Sequence, residues 1–262
     1  MEGIVVFVFI FALIGCFLMV YMYRLANLNS LKEQTFFFSH FPSRETITIF
    51  FISDIHRRII NDEMIGKVKE KVDFVLIGGD LAEKRVPIER IKENLIKLKS
   101  LGPVYFIWGN NDYEIERHEL DALFIELGIH ELLDSSVRLE TNDGGIIRLI
   151  GVDFYDEQEQ TGRLDLAMEE VEPESFKILA SHTPEIEKEI QKEYGIDLVL
   201  SGHTHGGQIR FLGIGKYPLG GIKQDDNMTI LTSNGYGTSL VPLRLKAKPE
   251  AHLIRLKKGN PS

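Results

Sequence analysis

Two hydrophobic patterns divide the chain. Residues 4–23 read IVVFVFIFALIGCFLMVYMY, twenty positions without a charge. A helix of that length, at ~1.5 Å per residue, spans ~30 Å, the thickness of a bilayer core. Tyr21 and Tyr23 fall where interfacial aromatic residues sit. A signal peptide wants a basic start, a shorter apolar core and a small-x-small cleavage site. Met1-Glu2-Gly3 carries no Lys or Arg and no Ala-x-Ala follows the run, so an uncleaved anchor is expected. Arg24, Lys32 and Arg44 come just after it, and the positive-inside rule places the following body in the cytoplasm.

From about residue 45 the pattern changes to short apolar runs alternating with mixed segments. TITIFFIS (46–53), VDFVLIGG (72–79), VYFIW (104–108), SFKILAS (175–181) and IDLVLS (196–201) read as buried strands, with shorter ones near 136–140 and 146–152. Between them, IINDEMIGKVKE, residues 114–127 and EIEKEIQKEY look helical. Pro87 opens a helix that places Ile88, Ile91, Leu95 and Leu98 on one face, and Gly102-Pro103 stops it. FFFSHF (36–41) suits an edge strand turning back at Pro42. Strands alternating with helices indicate an α/β body with a largely parallel sheet. Such folds bind ligands beyond the C-terminal ends of their strands. The expected division is an anchor with its juxtamembrane segment over 1–30 and a single domain over 31–262.

Composition narrows the chemistry. The 262 residues are 44% hydrophobic and 26% charged, which suits a globular chain. The net charge of −9 argues against non-specific nucleic-acid binding, which needs a basic face. A small anionic substrate remains compatible if bound metal ions supply positive charge. Cys16, the one cysteine, excludes a disulfide framework and a Cys-type zinc site. The chain has neither a Gly-x-Ser-x-Gly elbow nor a Gly-Lys-Ser/Thr phosphate loop.

Polar clusters stand at the ends of the five longer apolar runs: Asp54-Ile55-His56, Asp80, Gly109-Asn110-Asn111-Asp112, His182 and Gly202-His203-Thr204-His205. Side chains two apart on extended chain face the same way, so Asp54 and His56 can reach one ion. Asp80 has two oxygens and can bridge two. Mixed nitrogen and oxygen ligation suits Mn²⁺, Fe or Zn²⁺.

In order and spacing these clusters resemble the calcineurin-like metallophosphoesterases, whose pattern is D-x-H, G-D, G-N-H-D/E, a lone His and G-H-x-H. The extended GHTHGGQ and the late SNGYGTSLVPLR are most similar to the bacterial membrane-anchored YkuE/YpbG-like branch. The resemblance implies a four-layer αββα sandwich holding two metal ions. Asp54, His56 and His205 would take the first ion, Asp80 would bridge, and Asn110, His182 and His203 would complete the second.

One position departs from the pattern: Asn111 stands where the family usually has a His that serves the leaving oxygen. An amide donates a hydrogen bond but cannot titrate, and losing a general acid costs about 10²–10⁴-fold. The loss matters least for acidic leaving groups, so a diester or pyrophosphate is favoured over an alkyl monoester. Asn111 and Asp112 are thus the candidate catalytic residues, with Asp112 otherwise holding Asn111 or capping the next helix. Arg57, Arg58, Arg210 and Lys216 are candidate phosphate contacts.

The resulting expectation is a single-pass membrane enzyme. It would hydrolyse a phosphodiester, pyrophosphate or phosphomonoester, small or lipid-linked, by attack of a metal-bound hydroxide. The competing expectation is a non-enzymatic or very weakly active metal- or phosphate-binding membrane protein on the same scaffold, which Asn111 keeps open.

Overall fold

The computed structural model describes residues 2–154, 163–224 and 228–259. Helix α1 (Glu2–Ala26) is, among the described residues, the one helix long and apolar enough to cross a membrane. Its side chains from Gly3 to Tyr21 lie exposed, whereas Met22, Leu25 and Ala26 in its last turns are buried against the body.

In chain order the body continues through β1 (Leu31–Phe38), β2 (Ile47–Ile52), α2 (Asp62–Lys67), β3 (Phe74–Gly78), α3 (Ile88–Lys99), β4 (Val104–Ile107), α4 (Arg117–Leu127) and β5 (His130–Glu131). Then follow β6 (Ser135–Glu140), β7 (Ile146–Gly151), α5 (Arg163–Met168), β8 (Phe176–Ala180), β9 (Leu198–Ser201), β10 (Gly221–Gln224), β11 (Thr229–Thr232) and β12 (Ala251–Lys258).

The strands form two six-stranded sheets, ordered β1-β12-β2-β3-β4-β5 and β10-β11-β9-β8-β7-β6. Both are mixed. In the first, β12 runs antiparallel to β2; in the second, β10 and β6 run antiparallel to their neighbours and the centre is parallel. The single, largely parallel sheet suggested by strand-helix alternation is therefore two mixed sheets, as the resemblance implied.

Strand periodicity explains the layering, because successive side chains point to opposite faces. In β2, Ile49 and Phe51 enter the core between the sheets, while Phe50 and Ile52 pack toward α3 and α4 with Ile91, Leu95, Leu98, Leu120 and Phe124. Leu164 and Ala167 of α5 cover the outer face of the second sheet. The order is helices, sheet, sheet, helices.

The helical expectations hold best where an amphipathic stripe was strong, as in α3. IINDEMIGKVKE yields only the short α2, and 114–127 splits into a 3₁₀ turn at Asp112–Glu114 and α4. EIEKEIQKEY forms two 3₁₀ turns, Pro184–Glu189 and Lys192–Tyr194. That segment buries little apolar surface beyond Ile186, too little to hold a regular helix. The edge strand expected over 36–41 is β1, which runs earlier, over Leu31–Phe38, and β12 pairs with it along its whole length.

Phe176 sits at the base of the inter-sheet core, edge-on to Phe38 and Phe41. Phe176→Ala should lower unfolding stability by about 3–5 kcal/mol. Ile125→Ser on the exposed face of α4 should change it little. Denaturant midpoints of the two variants check this.

Candidate metal centre

The local backbone builds the site. Asp54 and His56 follow β2, Asp80 follows β3, Asn110 follows β4, His182 follows β8, and His203 and His205 follow β9. The parallel strands of the two facing sheets deliver these ends to one place. Five of the seven residues lie in the left-handed backbone region: Asp54 (φ 54°), His56 (52°), Asp80 (53°), His203 (68°) and His205 (50°). Each such non-glycine residue costs ~1–2 kcal/mol, and strain of this kind gathers at functional sites. Cross-strand bonds hold it in place: Asp54 N–H donates to the Gly79 carbonyl at 3.0 Å, and Ile55 N–H to that of Asp80 at 2.8 Å. Gly202 is required by space, since a Cβ there would stand 2.5 Å from Asp54 Oδ2.

The side chains converge. Ligand atoms of Asp54, His56 and His205 lie within 4.8 Å of one another, as do those of Asp54, Asp80 and His182. His56 Nε2 faces His205 Nε2 at 3.1 Å, and the latter lies 3.3 Å from Asp54 Oδ1. Asp80 Oδ2 stands 3.5 Å from His56 Nε2 and 3.3 Å from His182 Nε2, so one carboxylate looks to both groups. His203 Nδ1 is 3.1 Å from His182 Nε2.

Asn110 Nδ2 donates to Asn111 Oδ1 at 2.5 Å, while Asn110 Oδ1 is buried without a hydrogen-bond partner. Buried polar atoms are rarely left so. This amide lines the same cavity as His56, Asp80, His203 and His205, and an unpartnered amide oxygen with imidazoles and carboxylates is a donor set that fits cations.

Electrostatics point the same way. Burial opposes ionisation of Asp54 and Asp80, but the surrounding histidines hold both carboxyls below their usual range. Burial disfavours a charged His182, yet the Asp80 carboxylate outweighs it and raises the imidazole to about 10. Burial lowers His205 to about 3, with help from the positive charges of His56 and Arg244. The carboxylates thus draw positive charge into a largely buried cluster.

A supporting layer fixes the ligands. His182 Nδ1 bonds the Gly78 carbonyl at 2.8 Å, which turns Nε2 toward Asp80. His56 Nδ1 lies 3.1 Å from Glu83 Oε2. The fully buried Arg244 donates to the carbonyls of His205, Asn234, Gly235, Gly237 and Ala247, and its guanidinium reaches within 3.1 Å of His205 Nδ1. Sequence reasoning assigned no role to Glu83 or Arg244. The signals were a carboxylate three residues after Asp80 and the arginine closing SNGYGTSLVPLR.

A cavity of about 240 Å³ opens over the cluster, lined by His56, Asp80, Asn110, Asn111, His203 and His205 and by a rim that includes Lys216, Tyr217 and Leu240. Asn111 faces it. Asp112 does not: its buried carboxylate accepts the backbone N–H groups of Asp80 (2.8 Å), Gly109 (2.9 Å) and Ala82 (3.1 Å). It clamps the β3 and β4 loops together and neither supports the Asn111 side chain nor caps α4.

Of the candidate phosphate contacts, only Lys216 lines the cavity. Arg57 pairs with Glu83. Arg58 donates to the carbonyls of Ala26, Asn27, Leu28 and Tyr236, and Arg210 to those of Gly206, Gly213 and Tyr217. Both guanidiniums are occupied in holding loops.

The four-layer sandwich thus carries, beyond its strand ends, Asp/His clusters able to hold metal ions. The chain belongs to the calcineurin-like phosphoesterase family, whose sequence model matches residues 47–207. It is 45% identical to the Bacillus subtilis protein YpbG over 237 residues, which cover 90% of each chain. Phosphodiesterase YaeI of Escherichia coli is 26% identical over 231 residues, covering 79% of this chain and 81% of YaeI. Among solved structures, a putative 5′-nucleotidase from Staphylococcus aureus shares the fold, with a TM-score of 0.51 at 11% identity. The match covers 83% of this chain and 55% of that one.

Arg244→Met leaves its carbonyl partners without their donor. Lost charged hydrogen bonds at a buried arginine should destabilise the fold by about 3–5 kcal/mol. Hydrogen exchange should quicken first at 205–208 and 234–237, and unchanged exchange there would remove Arg244 from its place as the strut.

Proposed function

We propose that the chain is a membrane-anchored, dinuclear metal-dependent phosphoesterase acting on a phosphodiester, a pyrophosphate or a phosphomonoester. The observation that supports it most is the convergence of ligand atoms from Asp54, His56, Asp80, His182 and His205, with His203 against His182 and Asn110, its Oδ1 unpartnered, lining the same cavity. Asp54, His56 and His205 would hold one ion, Asn110, His182 and His203 the other, and Asp80 would face both. Mn²⁺, Fe and Zn²⁺ suit these donors. When bound, such a pair supplies Lewis-acid activation and charge neutralisation for in-line phosphoryl displacement. Residues 1–30 would form the anchor and 31–262 the catalytic body, on the cytoplasmic side by the Arg24, Lys32 and Arg44 bias.

The chain's own groups then shape the reaction. Lys216 brings a cation to the rim, where a phosphate enters. Asn111 Oδ1 accepts from Asn110 Nδ2, a bond that would leave Asn110 Oδ1 free to face an ion. The remaining N–H groups of Asn111 donate to a phosphoryl or leaving oxygen but cannot protonate it. That favours acidic leaving groups, hence diesters and pyrophosphates, and the phosphodiesterase name carried by YaeI agrees with the first.

With Mn²⁺ added, the full chain in detergent should hydrolyse bis(p-nitrophenyl) phosphate, and Asp80→Asn should lose at least about a hundredfold in kcat. Equal turnover by the variant refutes the assignment. Asn111→His should raise kcat about a hundredfold on an alkyl phosphomonoester and leave an aryl ester nearly unchanged. A uniform gain, or none, would contradict the leaving-group account. Lys216→Ala should raise KM several-fold on the aryl diester with kcat little changed, as expected of a cation that binds phosphate outside the reacting atoms.

A further inference from the structure

The rim of the cavity carries apolar surface that the body leaves uncovered. Residues 209–217 read IRFLGIGKY. They form a hairpin in which Ile214 N–H bonds the Phe211 carbonyl and Leu212 and Gly213 turn the tip at positive φ. Phe211, Leu212 and Ile214 are 72%, 79% and 78% exposed. Opposite lies the 239–241 loop, whose Leu240 is 94% exposed and lines the cavity. The two are tied together: Gln208 Nε2 donates to the carbonyls of Ser239 and Val241, and Arg210 N–H to that of Leu245. Arg210 braces the hairpin from within.

The same rim is fastened to the end of α1. Arg244 N–H donates to the Met22 carbonyl at 3.2 Å, three residues beyond the exposed Val241. Arg58, two residues past His56, grips the carbonyls of Ala26, Asn27 and Leu28 with the Asn29 side chain, and stacks on Tyr236. Only residues 27–30 separate α1 from β1. The helix therefore holds the site in a fixed pose, with no free linker between them.

Exposed apolar side chains at a rim, next to an apolar helix and flanked by Lys216, Lys246 and Tyr217, have the composition of a bilayer-interface contact. We propose that the 209–214 hairpin and the 239–241 loop rest in the surface of the membrane that α1 enters, so that the cavity takes a phosphoester borne by a membrane lipid. The lipid's tail stays in the bilayer while its phosphate rises past Lys216 to the cluster. This deepens the phosphoesterase reading and rests on it for the chemistry, but the docking stands on the rim and α1 alone.

Two measurements on the full chain in phosphatidylcholine/phosphatidylglycerol vesicles separate the parts. For docking, Leu212→Trp and Ile214→Trp are compared with Ile125→Trp on α4, over the buried background of Trp108. Brominated lipid should quench the two hairpin tryptophans several-fold more than the α4 one, and iodide should do the reverse. Quenching by iodide alone overturns docking. So does protection from both quenchers with a doubled mass, which assigns the rim to a second copy.

For substrate, hexadecyl p-nitrophenyl phosphate in the vesicles is compared with ethyl p-nitrophenyl phosphate in water, two diesters with one leaving group. The wild type should prefer the hexadecyl ester about tenfold or more in kcat/KM, and Phe211→Ser/Leu212→Ser/Ile214→Ser should lose that preference while keeping the ethyl-ester rate. Equal rates on both esters overturn the lipid assignment. Hairpin quenching without turnover of either ester would keep the docking, while overturning the lipid-phosphoester assignment together with the phosphoesterase reading.

Discussion

Two carboxylates, Asp54 and Asp80, are buried within reach of the same imidazoles, and the rest of the site follows from that. Burying an ionised carboxylate without compensation is among the most unfavourable things a fold can do. Here the compensation is arranged around them as His56, His182 and His205, with backbone N–H groups of His203 and Asn111 donating to the carboxylates. Histidines alone satisfy the charge only by taking protons, and two of them are placed so that their Nε2 atoms face each other. The same arrangement, with its unpartnered Asn110 oxygen, is what a pair of cations would satisfy. The strained backbone at five of the seven positions is offset by bonds from neighbouring loops, so the geometry is imposed by the fold before any ion arrives.

That imposition reaches outward in layers. Asp112 and Arg244 are both fully buried and neither faces the cavity, yet each gathers several loops by their backbone. Arg58 and Arg210 do the same nearer the surface. Arginines suggested by residue type as phosphate contacts turn out to be braces, because a fork of five donors serves a cluster of loop carbonyls as well as it serves a phosphate. The layer that braces the site also seats the end of α1, so the placement of that helix on the body and the geometry of the site share residues.

Much of this was legible in the sequence. Seven apolar runs marked β2, β3, β4, β6, β7, β8 and β9 within one or two residues, whereas β5, β10, β11 and β12 were not delimited; the clusters at the ends of the longer runs held Asp54, His56, Asp80, His182 and His205, which converge. α3 was legible because its stripe is strong and Pro87 and Gly102-Pro103 mark its limits. The segment 185–194 misled because its charge pattern resembles a helix, although its apolar positions are too few to dock one. The pairing of β12 with β1 and β2 depends on contacts more than two hundred residues apart, and periodicity carries no such information. Left-handed φ at Asp54, His56, Asp80, His203 and His205 was likewise invisible, since none is a glycine. Glu83 and Arg244 were missed because a supporting residue has no spacing rule of its own.

The central claim is that one pocket holds two cations between these side chains. Anomalous diffraction from crystals of the protein grown with Mn²⁺ tests it directly. The account predicts two peaks about 3.5–4 Å apart, one against Asp54, His56 and His205, the other against Asn110, His182 and His203, with Asp80 touching both. A pocket without peaks, or manganese bound only elsewhere, would contradict it.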